Sequence, residues 1–516
     1  MIGGRKRNVL LITADQWRGD TLGHAGHPLI KTPVLDVLAA EGVSFRRHYS
    51  QAAPCGPARA SLWTGLYMMN HRSVANGTPL DARHTNLALE VRKAGFDPTL
   101  FGYTDTSVDP RTVPPADPRT RSYEGVLPGF TAGLVMREDG EPWRAFLRRK
   151  GYGNLDYPDV YRPAEGPEYE ESGATYAPAR YKAEHSDSAF MVDHAIDWLA
   201  MRRGEDWFCH LSLLRPHPPW VAPAPYHALY RAEDVPPPAR PGGRQEAGAV
   251  HPLQAWFIEN ETRSAFFPDR PAEPVSFASE ADVLQARATY YGLATEVDDL
   301  LGRLFQALRD FDQWEDTLVI FTSDHGEQLG DHFRFGKRGY NQPAFHVPLI
   351  VRGPGIAAGR TVEAFTEAVD LMPTVLDYLG LTVPAACDGY SLLPFLQGSE
   401  PQHWRRAARW EYDFRDKPEL CAALGLSGAP DLCSLAVQRG ERFMSVFGPG
   451  LPPALFDLHR EGEDRNLAGD PAFQADLLAE TQAMLRWRMA HAERTLANHL
   501  IGPEGFQVTL PARWPL

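Results

Sequence analysis

Asn8-Val9-Leu10-Leu11-Ile12-Thr13, followed after Ala14 by Asp15-Gln16, decides the fold class. A short continuous apolar run without helical periodicity reads as a strand buried on both faces, as in a parallel sheet. Working outward, Thr32-Pro33 opens a helix through Glu41, with a capping residue and a first-turn proline. Leu87 to Ala94 reads as a helix and Pro98 to Phe101 as a short strand. Ser186 to Arg203 is amphipathic, with Phe190, Val192, Ala195, Ile196 and Leu199 on one side. Trp207 to Leu214, Thr317 to Thr322 and Val347 to Val351 read as buried strands. Ala281 to Phe311 and Asp370 to Leu379 carry helical patterns. Strand and helix alternate, so the expected fold is α/β, a large mostly parallel central sheet with helices on both faces.

Two stretches break the rhythm, 107–180 and 222–278, rich in Pro, Gly, Arg and Glu. They read as long excursions, which in compact enzymes are often functional. From 397 the pattern changes. Ala408 to Phe414, Leu435 to Phe447 and Leu455 to Leu458 look like antiparallel strands, and Pro471 to Glu493 like a helix. The expected organisation is a catalytic domain over 1–396 and a smaller α+β subdomain over 397–516.

The chain has 516 residues, 43% hydrophobic and 23% charged, so a large core is within reach and wholesale disorder is excluded. Acidic residues exceed basic ones by 66 to 52, giving −14, so no basic surplus exists to neutralise nucleic-acid phosphates. A local pocket can still oppose that sign. The five cysteines are odd in number and form no CxxC pair, which argues against a disulfide framework or a structural zinc site. No apolar run reaches the roughly 18–20 residues of a membrane span. Arg5-Lys6-Arg7 before Val9–Ile12 faintly resembles a signal peptide, but the apolar stretch is short and Asp15 ends it. The chain therefore reads as cytoplasmic, without membrane or nucleic-acid partners.

Polar groups follow four of the strands. Asp15-Gln16, Tyr103-Thr104-Asp105, Arg215 with His217, and Ser323-Asp324-His325 all fall at strand ends. In parallel α/β sheets, ligands bind at the carboxyl ends of strands. Strand ends are commonly polar anyway, but this set is rich in Asp and His. Asp15, Asp324 and His325 suit a divalent cation, carboxylates favouring hard cations and imidazole shifting the preference toward Mn²⁺ or Zn²⁺. Three such ligands leave positions open for a nucleophile and a substrate.

The sharpest local signal is Cys55-Gly56-Pro57-Ala58-Arg59. Pro57 is expected to start a helix through Thr64, with Cys55 just before it, so that an anion there meets free backbone N–H groups. The plain alternative is a small buried cysteine in a loop.

Cys55-x-Pro57-x-Arg59 with Ser61-Leu62-Trp63-Thr64-Gly65 resembles the sulfatase signature, in which the cysteine is converted to formylglycine. Asp15 and Ser323-Asp324-His325-Gly326-Glu327 match that family's metal positions. Lys337, Val347-Pro348-Leu349-Ile350 and Leu455-Phe456-Asp457-Leu458 with Asn466-Leu467 fit its later landmarks. The chain is identified as a member of the formylglycine-dependent branch of the alkaline phosphatase superfamily. Arylsulfatases carry Asp-Asp, Asp-Asn and Gly-Lys-x-x-His where this chain has Asp15-Gln16, Asp324-His325 and Gly102-Tyr103-Thr104-Asp105. These departures, and Asn76-Gly77-Thr78-Pro79-Leu80, resemble phosphonate monoester hydrolases.

The resemblance implies a metal-dependent hydrolase of phosphonate monoesters and phosphodiesters, with promiscuous sulfate monoester activity. It implies a formylglycine nucleophile at residue 55, made by a formylglycine-generating activity of the host, and one divalent ion, Mn²⁺ or alternatively Ca²⁺. A small anionic ester is the expected substrate and a homotetramer the expected assembly. Asp15, Cys55, Asp324 and His325 are the implied metal ligands. Arg59 and Lys337 oppose negative charge, and His217 protonates the leaving oxygen. Gln16, Asn76, Tyr103 and Thr104 line the substrate pocket. The rival readings are a dedicated arylsulfatase or other sulfate ester hydrolase, a two-metal phosphatase, and an inactive binding protein of sulfatase type.

Overall fold

All seven residues of β1 (Asn8–Ala14) are buried in the computed structural model, which describes residues 8–153, 155–166, 175–240, 242–267, 273–497 and 499–508. Arg5-Lys6-Arg7 lies outside the described residues. Along the chain follow β2 (Val43–Tyr49), β3 (Ala52–Ala53), β4 (Thr99–Gly102), β5 (Thr131–Val135) and β6 (Phe208–Leu213). Then come β7 (Thr317–Thr322), β8 (Leu349–Arg352) and β9 (Arg360–Glu367). Eight of these make one sheet in the order β5-β4-β6-β1-β7-β8-β2-β9. All its pairings are parallel except those of β8, which is antiparallel to both β7 and β2. The fold is thus α/β with a large, mostly parallel central sheet.

Alternation along β1 divides the core. Leu10 and Ile12 face the helices 33–41, 187–200 and 280–310, whereas Val9 and Leu11 face the helices 55–64, 87–93 and 371–378. Register aligns the strand ends, since Thr13 stands beside both Ser212 of β6 and Thr322 of β7. The residues after β1, β6 and β7 therefore emerge side by side. At the end of β4, Gly102 has φ +115°, and a Cβ there would lie 2.3 Å from the Ser212 carbonyl oxygen. Only glycine lets the two strands close up and turn Tyr103 inward.

The structure differs from the sequence reading in several places. β2, β5 and β9 were not expected. The 107–180 excursion supplies the edge strand β5 and the helix Glu141–Arg149, and 222–278 carries the helices Arg244–Ala249 and Pro252–Asn260. The Thr32 hydroxyl does not cap its helix; it accepts from Gly23 N, and the Asp298 carboxylate of the long helix accepts from Val34 N and Leu35 N instead.

A second sheet, β13-β12-β11-β10-β3, adds β10 (Ala407–Asp413), β11 (Ser434–Gly440), β12 (Phe443–Gly448) and β13 (Leu451–Asp457). The single strand expected over Leu435–Phe447 is a hairpin that turns at Glu441-Arg442. β3 pairs with β10 through Ala52 and Ala53, which ties this sheet to the segment just before Cys55. Met484 and Trp487 of the helix Gln474–Ala490 pack against Tyr67 and Val369. A hairpin of β14 (His499–Gly502) and β15 (Gly505–Val508) follows. No described helix is long and apolar enough to cross a membrane.

Candidate active site

The helix carrying the cysteine begins earlier than expected. It spans Cys55–Thr64, with Pro54 in the capping position, so Cys55 is its first residue. Pro57 has no N–H, Ala58 N donates to the Pro54 carbonyl, and Gly56 N donates to Asn76 Oδ1 at 2.9 Å. The free anion-binding N–H groups expected there are largely occupied. Asn76 caps this helix, leaving its amide NH₂ as donor toward the cavity it lines.

One helical turn separates Cys55 from Arg59, which places both on one face. Arg59 is 1% exposed and its fork is fully engaged. Nε donates to Asp324 Oδ2 at 2.9 Å and Nη2 to Asp15 Oδ2 at 3.0 Å. Nη1 donates to the Tyr103 carbonyl and to Ser212 Oγ. Arg59 was expected to face the transferred group. It instead braces the two carboxylates, and Tyr103 lies under its guanidinium, 4.3 Å from ring centroid to Cζ.

Asp15, Cys55, Asp324 and His325 each bring a ligand atom to within 4.8 Å of the others, and all four are buried. The set fits a divalent cation. Asp15 Oδ1 is buried without a hydrogen-bond partner, while Oδ2 accepts from Arg59 and from the Tyr103 hydroxyl at 2.6 Å. His325 Nδ1 lies 3.1 Å from the Gly326 carbonyl and so carries the proton, leaving the Nε2 lone pair on the side of Cys55 and Asp15. Burial pushes the His325 pKa down to about 4, which keeps the imidazole neutral, as a ligand must be. Burial opposes ionisation of Asp15, but neighbouring positive groups, Lys337 and Arg59 among them, hold its carboxyl well below the usual range.

Cys55 Sγ lies 3.2 Å from His325 Nε2 and 3.2 Å from Lys337 Nζ. Burial, followed by the Asp15 charge, pushes the thiol well above its ordinary value. An unmodified Cys55 is therefore a protonated thiol and a poor nucleophile. Its sulfur stands where an oxygen of a converted side chain would sit.

Lys337 lies between three groups, donating to Gln16 Oε1 at 2.8 Å and approaching both Cys55 Sγ and His217 Nε2, the latter at 3.1 Å. Burial would lower its pKa, but its hydrogen bond to Cys55 and the charges of Asp15 and Asp324 outweigh that and hold it above the ordinary lysine value. His217 donates through Nδ1 to the Pro218 carbonyl and accepts at Nε2 from Lys337. Burial, then the lysine charge, pushes His217 down. The proton expected on His217 therefore resides on Lys337.

The other expected residues separate. Tyr103 lines the cavity with its hydroxyl on Asp15. Gln16 has φ +66°, its backbone held by Tyr290, and it reaches the cavity only through Lys337. Thr104 does not line the cavity. Its hydroxyl donates to the Gly125 carbonyl and accepts from Leu127 N, bracing the excursion. The next residue, Asp105 at φ +48°, occupies the wall instead, its pKa raised to about 8 mainly by burial. Glu327 was matched as the end of the Ser323–Glu327 motif but given no role of its own. Its carboxylate binds Leu329 N, Gly336 N and the Gln16 amide, fixing the loop that presents Lys337. Its position two residues after His325 was the available signal. His210 lies within β6 and bonds Thr13 Oγ1.

A parallel α/β sheet with a buried carboxylate–imidazole cluster, a helix-borne cysteine and a lysine over it defines a metal-dependent ester hydrolase. The chain belongs to the sulfatase family, whose profile matches residues 7–381. It is 44% identical over 513 residues to the multifunctional alkaline phosphatase superfamily protein PehA of Trinickia caryophylli, covering 97% of this chain and 98% of that one. The crystal structure of the phosphonate monoester hydrolase of Agrobacterium radiobacter matches with a TM-score of 0.94 at 44% identity, over 98% of this chain and all of that one. The phosphonate monoester hydrolase from Silicibacter pomeroyi matches with a TM-score of 0.92 at 43% identity, over 98% and 99% of the two chains.

Proposed function

We propose that the protein hydrolyses phosphonate monoesters and phosphodiesters, with accompanying sulfate monoester activity, through a formylglycine derived from Cys55. The observation that carries this reading is the cavity wall at Tyr103. Where arylsulfatases have a lysine, this chain places a tyrosine whose hydroxyl donates to Asp15. One fewer cation faces the transferred group, which suits a diester or phosphonate monoester, where an organic substituent stands in place of the third nonbridging oxygen that a sulfate monoester presents. The likeness to two phosphonate monoester hydrolases along nearly the whole chain supports the same reading.

Asp15, Asp324, His325 and residue 55 would hold a divalent cation, for which we propose Mn²⁺, and it would supply Lewis acidity there. The protein's own groups do the rest. Arg59 holds both carboxylates in place. The Lys337 ammonium, beside residue 55, stabilises negative charge developing there. The Lys337–His217 pair holds one proton between Nζ and Nε2, positioned to meet the leaving oxygen. Asn76 fixes the helix start and offers its NH₂ to a nonbridging oxygen. Cys55 is 5% exposed and Arg59 1%, so the host's formylglycine-generating enzyme must read this stretch before the fold closes.

The test is a panel of kcat/KM values for an aryl phosphonate monoester, an aryl phosphodiester and an aryl sulfate. The two phosphorus esters are expected to exceed the sulfate by about tenfold or more, roughly 1.4 kcal/mol in transition-state binding. A preference of that size for the sulfate would make the protein a dedicated arylsulfatase.

The working form is proposed to be a cytoplasmic homotetramer. Leu478, Leu485 and Met489 on one helix, and Leu500, Ile501 and Phe506 on the β14–β15 hairpin, are 58–86% exposed. Apolar side chains in that number favour burial by other copies. A monomeric native mass for enzyme from the host's cytosolic fraction would contradict this.

A further inference from the structure

Arg215-Pro216-His217-Pro218-Pro219-Trp220 follows β6 and brings His217 to the cavity. Three of these six residues are proline, so the segment has only three backbone N–H groups of its own. The His217 N–H is already engaged by the Leu214 carbonyl. The carbonyls of a largely buried turn still need donors, and side chains supply them. Trp220 Nε1 donates to the Pro216 carbonyl at 3.2 Å, and His217 Nδ1 to the Pro218 carbonyl at 2.6 Å. Arg215 Nη1 donates to the His217 carbonyl at 2.8 Å and to the Pro219 carbonyl at 2.9 Å. The guanidinium thus bridges the two carbonyls that flank the one orienting the imidazole.

Arg215 is itself fixed from behind. It is buried, Nε donates to Asp187 Oδ2 at 3.1 Å, and Cζ lies 4.6 Å from the centre of the Tyr161 ring. Asp187 is the first residue of the helix Asp187–Ala200, and its carboxylate also accepts from Ser188 N and the Tyr161 hydroxyl. Arg215 is not among the described residues that line the cavity. It therefore cannot meet the substrate, but it can set where His217 Nε2 stands relative to Lys337 Nζ, 3.1 Å away. The lysine side has its own anchor in the same place. Trp220 packs against Phe335, two residues before Lys337, with ring centroids 5.5 Å apart. The imidazole turn and the lysine loop thus share one aromatic support, and Arg215 fixes the turn upon it.

We propose that Arg215 is a positioning residue for leaving-group protonation, acting through His217 by holding the imidazole where the Lys337–His217 pair meets the leaving oxygen. The proposal rests on the reading of that pair given above and adds the group that sets its geometry. Arg215 transfers no proton itself. General acid catalysis is worth about 10²–10⁴-fold, and a displacement of about 1 Å in a reacting group can cost about 10²-fold. The loss on disturbing Arg215 falls on esters with a basic leaving oxygen, because an acidic phenol departs without a proton.

The test uses the metal-loaded holoenzyme and two methylphosphonate monoesters, one of phenol and one of p-nitrophenol. Arg215→Gln is made together with Asp187→Asn, so that no buried carboxylate is left unpaired. In this double variant kcat/KM for the phenyl ester is expected to fall about tenfold or more further than for the p-nitrophenyl ester. Arg215→Lys keeps the charge beside Asp187 but not the planar fork, and is expected to show the same selective loss to a smaller degree. It decides the matter if the double variant does not fold, as melting curves report. His217→Ala is expected to show the selective loss in full. Added to His217→Ala, the Arg215 substitutions are expected to widen the gap between the two esters no further. Equal losses on both esters, an unaltered profile in a folded variant, or effects that multiply with those of His217→Ala overturn the proposal and leave Arg215 a structural role. Selectivity in His217→Ala but not in the Arg215 variants overturns this proposal alone. Equal losses on both esters in His217→Ala overturn the leaving-oxygen reading and this proposal with it.

Discussion

Cys55→Ala is expected to lower kcat/KM for every substrate by about 10⁴-fold or more while leaving the fold and melting temperature nearly unchanged. The size follows from the site's economy, since residue 55 is the thiol that stands among the ligand atoms of Asp15, Asp324 and His325. The harmlessness to folding follows from the contacts of Sγ. It bonds only His325 Nε2 and Lys337 Nζ, whereas the bracing of the cluster runs through Arg59. Alanine is also well tolerated in a helix. The unconverted enzyme should behave like the alanine variant, because burial keeps the thiol protonated. Steady-state kinetics with thermal melts check both halves. Retention of more than about 1% of activity would place the nucleophile elsewhere.

Removal of the divalent ion is the second large effect. Chelation is expected to reduce turnover by about 10³-fold, to lower the melting temperature, and to be reversed by added Mn²⁺. The electrostatics give the sign. Two buried carboxylates, Asp15 and Asp324, face one guanidinium, and His325 is neutral. Arg59 and the nearby Lys337 offset the two carboxylates, but Asp15 Oδ1 is left without a partner, and a cation completes it. Asp324→Asn should reproduce the chelated state permanently. The amide keeps the shape but removes the charge and a ligand oxygen. Asp324→Ala is a poorer test, since it leaves Arg59 short of a partner in a buried site, at a cost of about 3–5 kcal/mol. Full activity in the chelated protein, with the metal shown absent, would contradict the assignment.

What the sequence made legible depends on physical locality. β1, β4, β6 and β7 are apolar runs buried on both faces, and their polar ends marked the site. β2 was hidden because Arg46 and Arg47 interrupt it, and β9 because Arg360, Glu363 and Glu367 break up its apolar pattern. Their pairing joins segments some 300 residues apart, for which no local signal exists. The ligand set was readable as residue types, but the role of Arg59 was not. Its bonds to Asp15 and Asp324 exist only because β1 and β7 are neighbours in register. Thr104 was misplaced because Asp105 adopts a left-handed φ and reverses which side chain meets the cavity. His217 was assigned the role of protonating the leaving oxygen. Burial, then the Lys337 charge, pushes its pKa down, and Lys337 donates to its Nε2.

The central claim is that an aldehyde at residue 55 performs the turnover. Its direct measurement is the specific activity toward an aryl phosphonate monoester in preparations of graded conversion, each with the aldehyde fraction at residue 55 quantified by peptide mass spectrometry. Activity rising in proportion to the aldehyde fraction, through zero at zero conversion, is the predicted result. Substantial activity in protein whose residue 55 is entirely thiol would contradict it.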